Sequence, residues 1–172
     1  DYRAFNAALY KGIPKQWREF CPTVEGKRAK VPKGVKRTAV HDAKNAFHSM
    51  MLTIGSRRFC VSKFRDGTGK TRYIMALGGD QGCAPCALFF PVWVEFGYNH
   101  FFGSAHDDWW TDFQDDTLVF DMSDDGSDGE LKMLLLRTAK RLMGLEEAPK
   151  NDLSFRTETK FAGPVWTLQG LT

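Results

Sequence analysis

The stretch from Trp109 to Phe120 constrains the fold more than any other. It places two apolar arms, Trp109-Trp110-Thr111 and Thr117-Leu118-Val119-Phe120, on either side of an adjacent carboxylate pair, Asp115-Asp116. An Asp-Asp dipeptide is a poor strand former and a good tight-turn element, so the spacing predicts strand, turn, strand. Two neighbouring carboxylates repel by roughly a few kcal/mol at an effective dielectric of about 20. A rigid acidic tip of this kind asks for a neutralising cation. A solvated acidic turn has the same dipeptide, so the rest of the chain must decide between the two readings.

At 172 residues and 42% hydrophobic, the chain can bury one sizeable core and reads as a single domain. Its 14 phenylalanines exclude a disordered segment. The chain begins at Asp1, inside what reads as structure, and is expected to be a piece of a longer polyprotein or enzyme. The longest apolar run, Ala87 to Val94, contains a proline and falls short of the roughly 20 residues that span a bilayer. The net charge of +3 is unevenly spread. Lys11, Lys15, Arg18, Lys27, Arg28, Lys30, Lys33, Lys36 and Arg37 face only Glu19 and Glu25, whereas Asp107 to Asp128 is strongly acidic. A basic arm beside an acidic centre suits a polyanionic partner with a metal between them. Cys21, Cys60, Cys83 and Cys86 have no disulfide-framework rhythm, which points to a reducing compartment.

In chain order, residues 1–8 are short and mixed, and residues 9–36 read as loop with at most one helical turn. Thr38 to Asp42 reads as a brief strand ending in an acid, and Ala43 to Leu52 has helix-compatible apolar spacing. Arg58–Phe64 and Thr71–Leu77 are strand-like runs joined by Asp66-Gly67-Thr68-Gly69, a hairpin signal. Ala84 to Phe96 reads as a buried aromatic helix, and Asp121 to Gly129 as a polar loop. Glu130 to Leu142 is patterned as an amphipathic helix with Leu131, Leu134, Leu135, Thr138 and Leu142 on its apolar side, closed by Gly144. Lys160 to Leu168 reads as a last strand. The order is α+β: hairpins interleaved with two helices.

If the strand ending at Asp42 neighbours the acidic hairpin, three carboxylates converge. Hard oxygen ligands of that kind bind Mg²⁺ and leave positions for water and substrate phosphates. Two such ions stabilise the attacking and leaving oxygens of in-line phosphoryl transfer.

With these residues in view, the chain resembles the palm of a reverse transcriptase, of the long-terminal-repeat retrotransposon and retroviral type. Asp1-Tyr2-Arg3-Ala4-Phe5-Asn6 is similar to the family's Asp-Tyr-Arg-x-Leu-Asn opening, and Ala39 to Ser49 resembles its first catalytic motif, hydrophobic-Asp-x-x-x-Ala-Phe/Tyr. The hairpin from Arg58 to Leu77 corresponds to the pair of strands that follows. Asp80-Gln81-Gly82-Cys83 resembles the Gln-Gly motif, with Leu88-Phe89 at its end. Phe113-Gln114-Asp115-Asp116 resembles the Tyr-x-Asp-Asp box, Gly144 to Lys150 the Gly-then-Lys motif, and Phe161-Ala162-Gly163 the last palm motif. Phe113 stands in place of the usual Tyr, His41 in place of an aliphatic, Cys86-Ala87 in place of Ser-Pro, and Ala162 in place of a leucine.

The resemblance implies a palm-like antiparallel sheet backed by two helices, residues 38–172, with part of the fingers and a basic loop in residues 1–37; thumb and RNase H regions are absent. It implies that Asp42, Asp115 and Asp116 hold two Mg²⁺ or Mn²⁺ ions with help from the carbonyl of Ala43. Phe47 would be a steric gate under the nucleotide sugar, and Gln81 and Gly82 would line the incoming nucleotide, with Arg3 supporting that pocket. Lys150 would protonate the leaving pyrophosphate. Implied partners are an RNA or DNA template-primer, deoxynucleoside triphosphates and the other domains of a retroelement polyprotein, inside the cell, in cytoplasm or nucleus.

Other readings compete. One is a palm remnant that binds nucleic acid without catalysis. Another is dithiol chemistry at Cys83-Ala84-Pro85-Cys86, since a helix N-terminus lowers a thiol pKa. Structural zinc would need more than one Cys-x-x-Cys, with His100 and His106 loosely placed. The Asp121 loop begins like an EF-hand, but its closing position falls on Lys132. Asp107-Asp108 is a second acidic pair, less suited than Asp115-Asp116 because it lacks a following apolar strand.

Overall fold

A computed structural model describes residues 3–12, 14, 26–27, 30–80, 82–162 and 165–167. Asp1, Tyr2, Lys15, Arg18, Glu19, Cys21, Glu25, Arg28, Gln81, Gly163 and Leu168 lie outside the described residues.

The chain is α+β with antiparallel sheets. Its main sheet has four strands: β1 (Arg37–Lys44), β4 (Trp110–Phe113), β5 (Asp116–Asp121) and β6 (Glu146–Glu147), in the order β4-β5-β1-β6. The acidic hairpin forms as its apolar arms predict, but the turn is Gln114-Asp115, and Asp116 is already the first residue of β5. Gln114 takes the left-handed conformation, φ 57°, that so tight a reversal needs. β1 pairs with β5 from Arg37 opposite Asp121 to Asp42 opposite Asp116.

Strand alternation sorts the two faces. Ala39 and Ala43 of β1, Val119 of β5 and Trp110 of β4 enter the main core, against Phe90, Val94 and Tyr98 of α3 (Ala84–Phe102) and Met133, Leu136 and Ala139 of α4 (Ser127–Leu142). Burying each large side chain there stabilises the fold by about 1.5–3 kcal/mol. The opposite face carries a smaller cluster of Leu118, Phe120 and Phe161, with Val31, Val35, Val40, Phe113 and Ala162 packed on it. Asp42 and Asp116 share that second face by register, at the end of the sheet beyond this cluster.

The hairpin of β2 (Val61–Arg65) and β3 (Thr71–Met75) forms as expected, with every residue exposed. Backbone bonds from Ala76 to Cys60 and from Leu52 to Leu77 tie its base to the body. Among the described residues no helix is long and apolar enough to cross a membrane.

Four expectations need correction. Residues 3–12, expected to be mixed or loop, form helix α1 (Arg3–Gly12), whose Ala4, Ala7, Ala8 and Leu9 are strong helix formers ahead of Pro14. Ala43 to Leu52 is not an α-helix: Ala43 and Lys44 pair with Glu147 and Glu146. Asn45 then turns left-handed, leaving a 3₁₀ turn at Ala46–Ser49 and the short helix α2 (Ile54–Arg57). In α4 the buried face is not the expected leucine face. Leu131, Leu134 and Leu142 are exposed, and the buried face is Gly129, Lys132, Met133, Leu136, Ala139 and Lys140. The tail is a small hairpin, β7 (Glu158–Lys160) with β8 (Val165–Thr167), where one strand was expected.

Candidate functional site

The sheet register brings the sequence-distant acids together. Asp42 stands opposite Asp116, and the backbone N–H of Ala43 donates to the carbonyl of Asp115 at 3.4 Å. All three side chains are half-buried. Burial, followed by the Asp42 charge among the carboxylates, raises the Asp115 carboxyl above the usual range. The Asp116 carboxyl is pushed up to about 6, by burial first and then by Asp115 and Asp42. Two carboxyls whose ionisation is opposed by burial and by neighbouring acid charge form, with Asp42, a site that gains from a cation.

Asp42 is clamped by the segment after β6. The Asn151 side chain accepts from the Asp42 N–H at 3.0 Å and donates to the Asp42 carbonyl at 2.9 Å, in the manner of a neighbouring strand. Ala148 N–H also donates to the Asp42 carbonyl, at 3.1 Å. This clamp sets Lys150 Nζ 2.8 Å from Asp42 Oδ2. Lys150 is itself 80% exposed, and its hydrogen bond to Asp42 raises its pKa. Asn151 carried no motif signal of its own; its adjacency to Lys150 was the only clue.

Two clefts of about 420 Å³ each border the acids. One is lined by Asp42, Ala43, Phe47, Asp115 and Lys150, among others; the other by Asp42, Asp116, Lys150, Arg156 and Lys160, among others. Phe47 sits on the 3₁₀ turn, half-buried, with its ring edge-on to Phe90 at 5.6 Å. Its position is fixed by a close backbone approach: a Cβ at Gly79 would lie 2.6 Å from the Phe47 carbonyl and from Cys86 Sγ.

Behind the acid-bearing strands runs a buried polar chain. Lys140, 3% exposed, donates to Thr117 Oγ1 at 2.8 Å and to His41 Nδ1 at 3.2 Å. Thr117 in turn donates to Asp112, which Tyr98 OH approaches at 3.5 Å. An ammonium has only donors, so His41 Nδ1 accepts and its proton sits on Nε2. Burial and the Lys140 charge push the His41 pKa down to about 3, so the ring is neutral. Burial drives both Asp112 and Lys140 toward their uncharged forms, against their mutual attraction.

Not every expected site residue joins the acids. Gly82, at φ 86°, has its carbonyl bonded by Asn6 Nδ2 at 2.8 Å, and Ala84 N–H donates to Asn6 Oδ1 at 3.0 Å. Helix α1 therefore caps the start of α3 through Asn6, and Gly82 itself lines neither acid cleft. Arg3 lies in the first turn of α1 and lines neither cleft. Gln81 lies outside the described residues.

The rivals fare differently. Cys83 and Cys86 are both buried, and burial pushes the Cys83 thiol up to about 12, opposite to an activated thiolate. Part of the basic segment pairs with the chain's own acids: Lys36 with the exposed Asp124, and Arg37 with the buried Asp121 at 2.8 Å. Asp107-Asp108 is followed by β4 after all, yet both residues sit in the 3₁₀ turn Gly103–Asp108, at the end of β4 opposite the Asp115-Asp116 tip.

No protein-family model matches this chain, and no curated protein matches it.

Proposed function

We propose that the site at Asp42, Asp115 and Asp116 performs nucleotidyl transfer. The reaction is template-directed addition of deoxynucleoside triphosphates to a primer on RNA or DNA, within a palm-like domain of the reverse-transcriptase type. The observation that carries this reading is the β1–β5 register, which sets Asp42 opposite Asp116 and beside the Asp115 turn, on the face opposite α3 and α4. The donor set suits Mg²⁺ or Mn²⁺, because it is made of hard carboxylate oxygens whose mutual repulsion a divalent ion relieves. Asp42, Asp115 and Asp116, with the carbonyl of Ala43, would hold such ions, which supply charge neutralisation at the transferring phosphoryl group.

The chain's own residues have separable tasks. Asn151 fixes the backbone of Asp42 and so the direction of its carboxylate. Phe47, backed by Phe90 and held by the Gly79 contact, presents a rigid ring to the cleft beside Asp115, where it excludes a 2′-hydroxyl by bulk. Lys150 is held protonated beside Asp42 and is the nearest general acid for a leaving pyrophosphate. Lys160 adds a cation for a phosphate backbone or triphosphate to the second cleft, where Lys150 pairs with Asp42 and Arg156 with Asp152. A non-catalytic nucleic-acid binder would draw on the basic segment, and that reading is weakened by the engagement of Lys36 and Arg37 with the chain's own acids.

The test is primer extension by the protein completed with fingers and thumb. Asp115→Asn is expected to lower the rate by at least about 10²-fold, the scale of several kcal/mol of lost transition-state stabilisation. Extension at the wild-type rate would refute the assignment.

A further inference from the structure

We propose that Glu95, His106 and Asp107 form a second site, one that takes a single divalent transition-metal ion of the zinc class. His106 lies in the 3₁₀ turn after α3 and is 2% exposed. Its ring is packed against Tyr98 and Trp110, at centroid distances of 5.6 and 5.9 Å. Nδ1 lies 2.7 Å from the Gly103 carbonyl oxygen, which can only accept, so Nδ1 carries a proton.

That tautomer decides what Nε2 does. Nε2 faces Glu95 Oε1 at 3.3 Å and Asp107 Oδ1 at 3.8 Å. A neutral ring would aim a lone pair at two carboxylate oxygens, so either a second proton or a metal cation must sit between them. The spacing suits the cation. A tetrahedral centre with bonds of roughly 2.0–2.2 Å separates its ligand atoms by roughly 3.4 Å, and the three ligand atoms here all lie within 4.8 Å of one another. One imidazole and two carboxylates leave one coordination position open.

The supporting shell is also in place. The Gly103 carbonyl orients the imidazole, as second-shell acceptors do for metal-bound histidines. Asn99 Nδ2 reaches Glu95 Oε1 at 3.4 Å. Trp110, whose Nε1 is buried without a hydrogen-bond partner among the described residues, lines the cavity of about 250 Å³ that also contains Glu95, His106 and Asp107; buried polar atoms are rarely left so. Lys27 and Lys30 line the same cavity and would favour an anion at the open position.

The experiment is calorimetric titration of the whole chain with Zn²⁺ alone, in wild type and variants. The expected result is one Zn²⁺ per chain at this site, retained in Asp115→Asn/Asp116→Asn. Glu95→Gln and Asp107→Asn alter exposed side chains and leave the fold intact; each is expected to weaken that binding by at least about tenfold. His106→Gln abolishes it, and Co²⁺ bound in place of Zn²⁺ gives the visible absorption of a tetrahedral centre. Three outcomes would overturn the proposal: no Zn²⁺ bound, binding unchanged by Glu95→Gln and Asp107→Asn, or binding lost in the Asp115/Asp116 variant. If His106→Gln does not fold, the two carboxylate variants decide alone.

Discussion

His41 should make the fold sensitive to acid, and the effect can be worked from its surroundings. The ring is 2% exposed and accepts from the buried Lys140 ammonium, so protonating it would place two cations side by side. Its pKa falls from 6.5 to about 3 on folding. The unfolded chain therefore binds a proton below pH 6.5 that the folded chain refuses until about pH 3. The sign follows: the contribution is fully present above pH 6.5 and is lost as pH falls toward 3. Between pH 7.5 and 5.0 the loss is about 2 kcal/mol, from about 1.4 kcal/mol per pH unit over the 1.5 units below 6.5. The raised Asp116 works the other way. Its folded form takes up a proton near pH 6, before the unfolded form does, so it stabilises the fold as pH falls through that window. Comparing wild type with His41→Leu cancels the Asp116 effect. Urea unfolding in metal-free buffer at the two pH values should show wild type losing about 2 kcal/mol more than His41→Leu. Parallel losses in the two proteins would refute the assignment of a buried, neutral His41.

Two further outcomes follow from the same contacts. Phe47→Val should admit ribonucleotides in primer extension by the completed protein, and unchanged sugar selectivity would remove its gate role. Gly79→Ala puts a methyl group 2.6 Å from the Phe47 carbonyl, which cannot move without shifting the 3₁₀ turn; a loss of about 1–3 kcal/mol, or several degrees in Tm by calorimetry, is expected.

What the sequence discloses, and what it hides, follows the range of the interactions involved. The acidic hairpin was readable because its apolar arms and turn residues are contiguous. The approach of Asp42 to Asp115-Asp116 was readable only as a conditional, and the β1–β5 register meets that condition. The buried face of α4 was hidden. Its Lys132 and Lys140 look like surface residues until their partners appear: Asp128 and the Phe120 carbonyl for Lys132, Thr117 and His41 for Lys140. Of these four, only Asp128 lies on the same helix; the others are strand residues distant in sequence, which helical periodicity cannot register. His41 is likewise hidden, because its burial depends on the bond from Lys140, 99 residues away. The missing helix after Asp42 has a similar cause, since pairing with β6 draws Ala43 and Lys44 into β1 against their local spacing. Asn151 was hinted at only by its place beside Lys150, since no sequence pattern links it to the Asp42 backbone.

The three-acid site is tested most directly by Mg²⁺ titration of the whole chain in a Glu95→Gln/Asp107→Asn background, comparing the intact acids with Asp42→Asn and Asp116→Asn. The account predicts Mg²⁺ binding that releases protons near pH 6, as the raised Asp116 carboxyl ionises, and that each substitution weakens at least about tenfold. Mg²⁺ binding indifferent to both substitutions, or absent with all three acids intact, would contradict it.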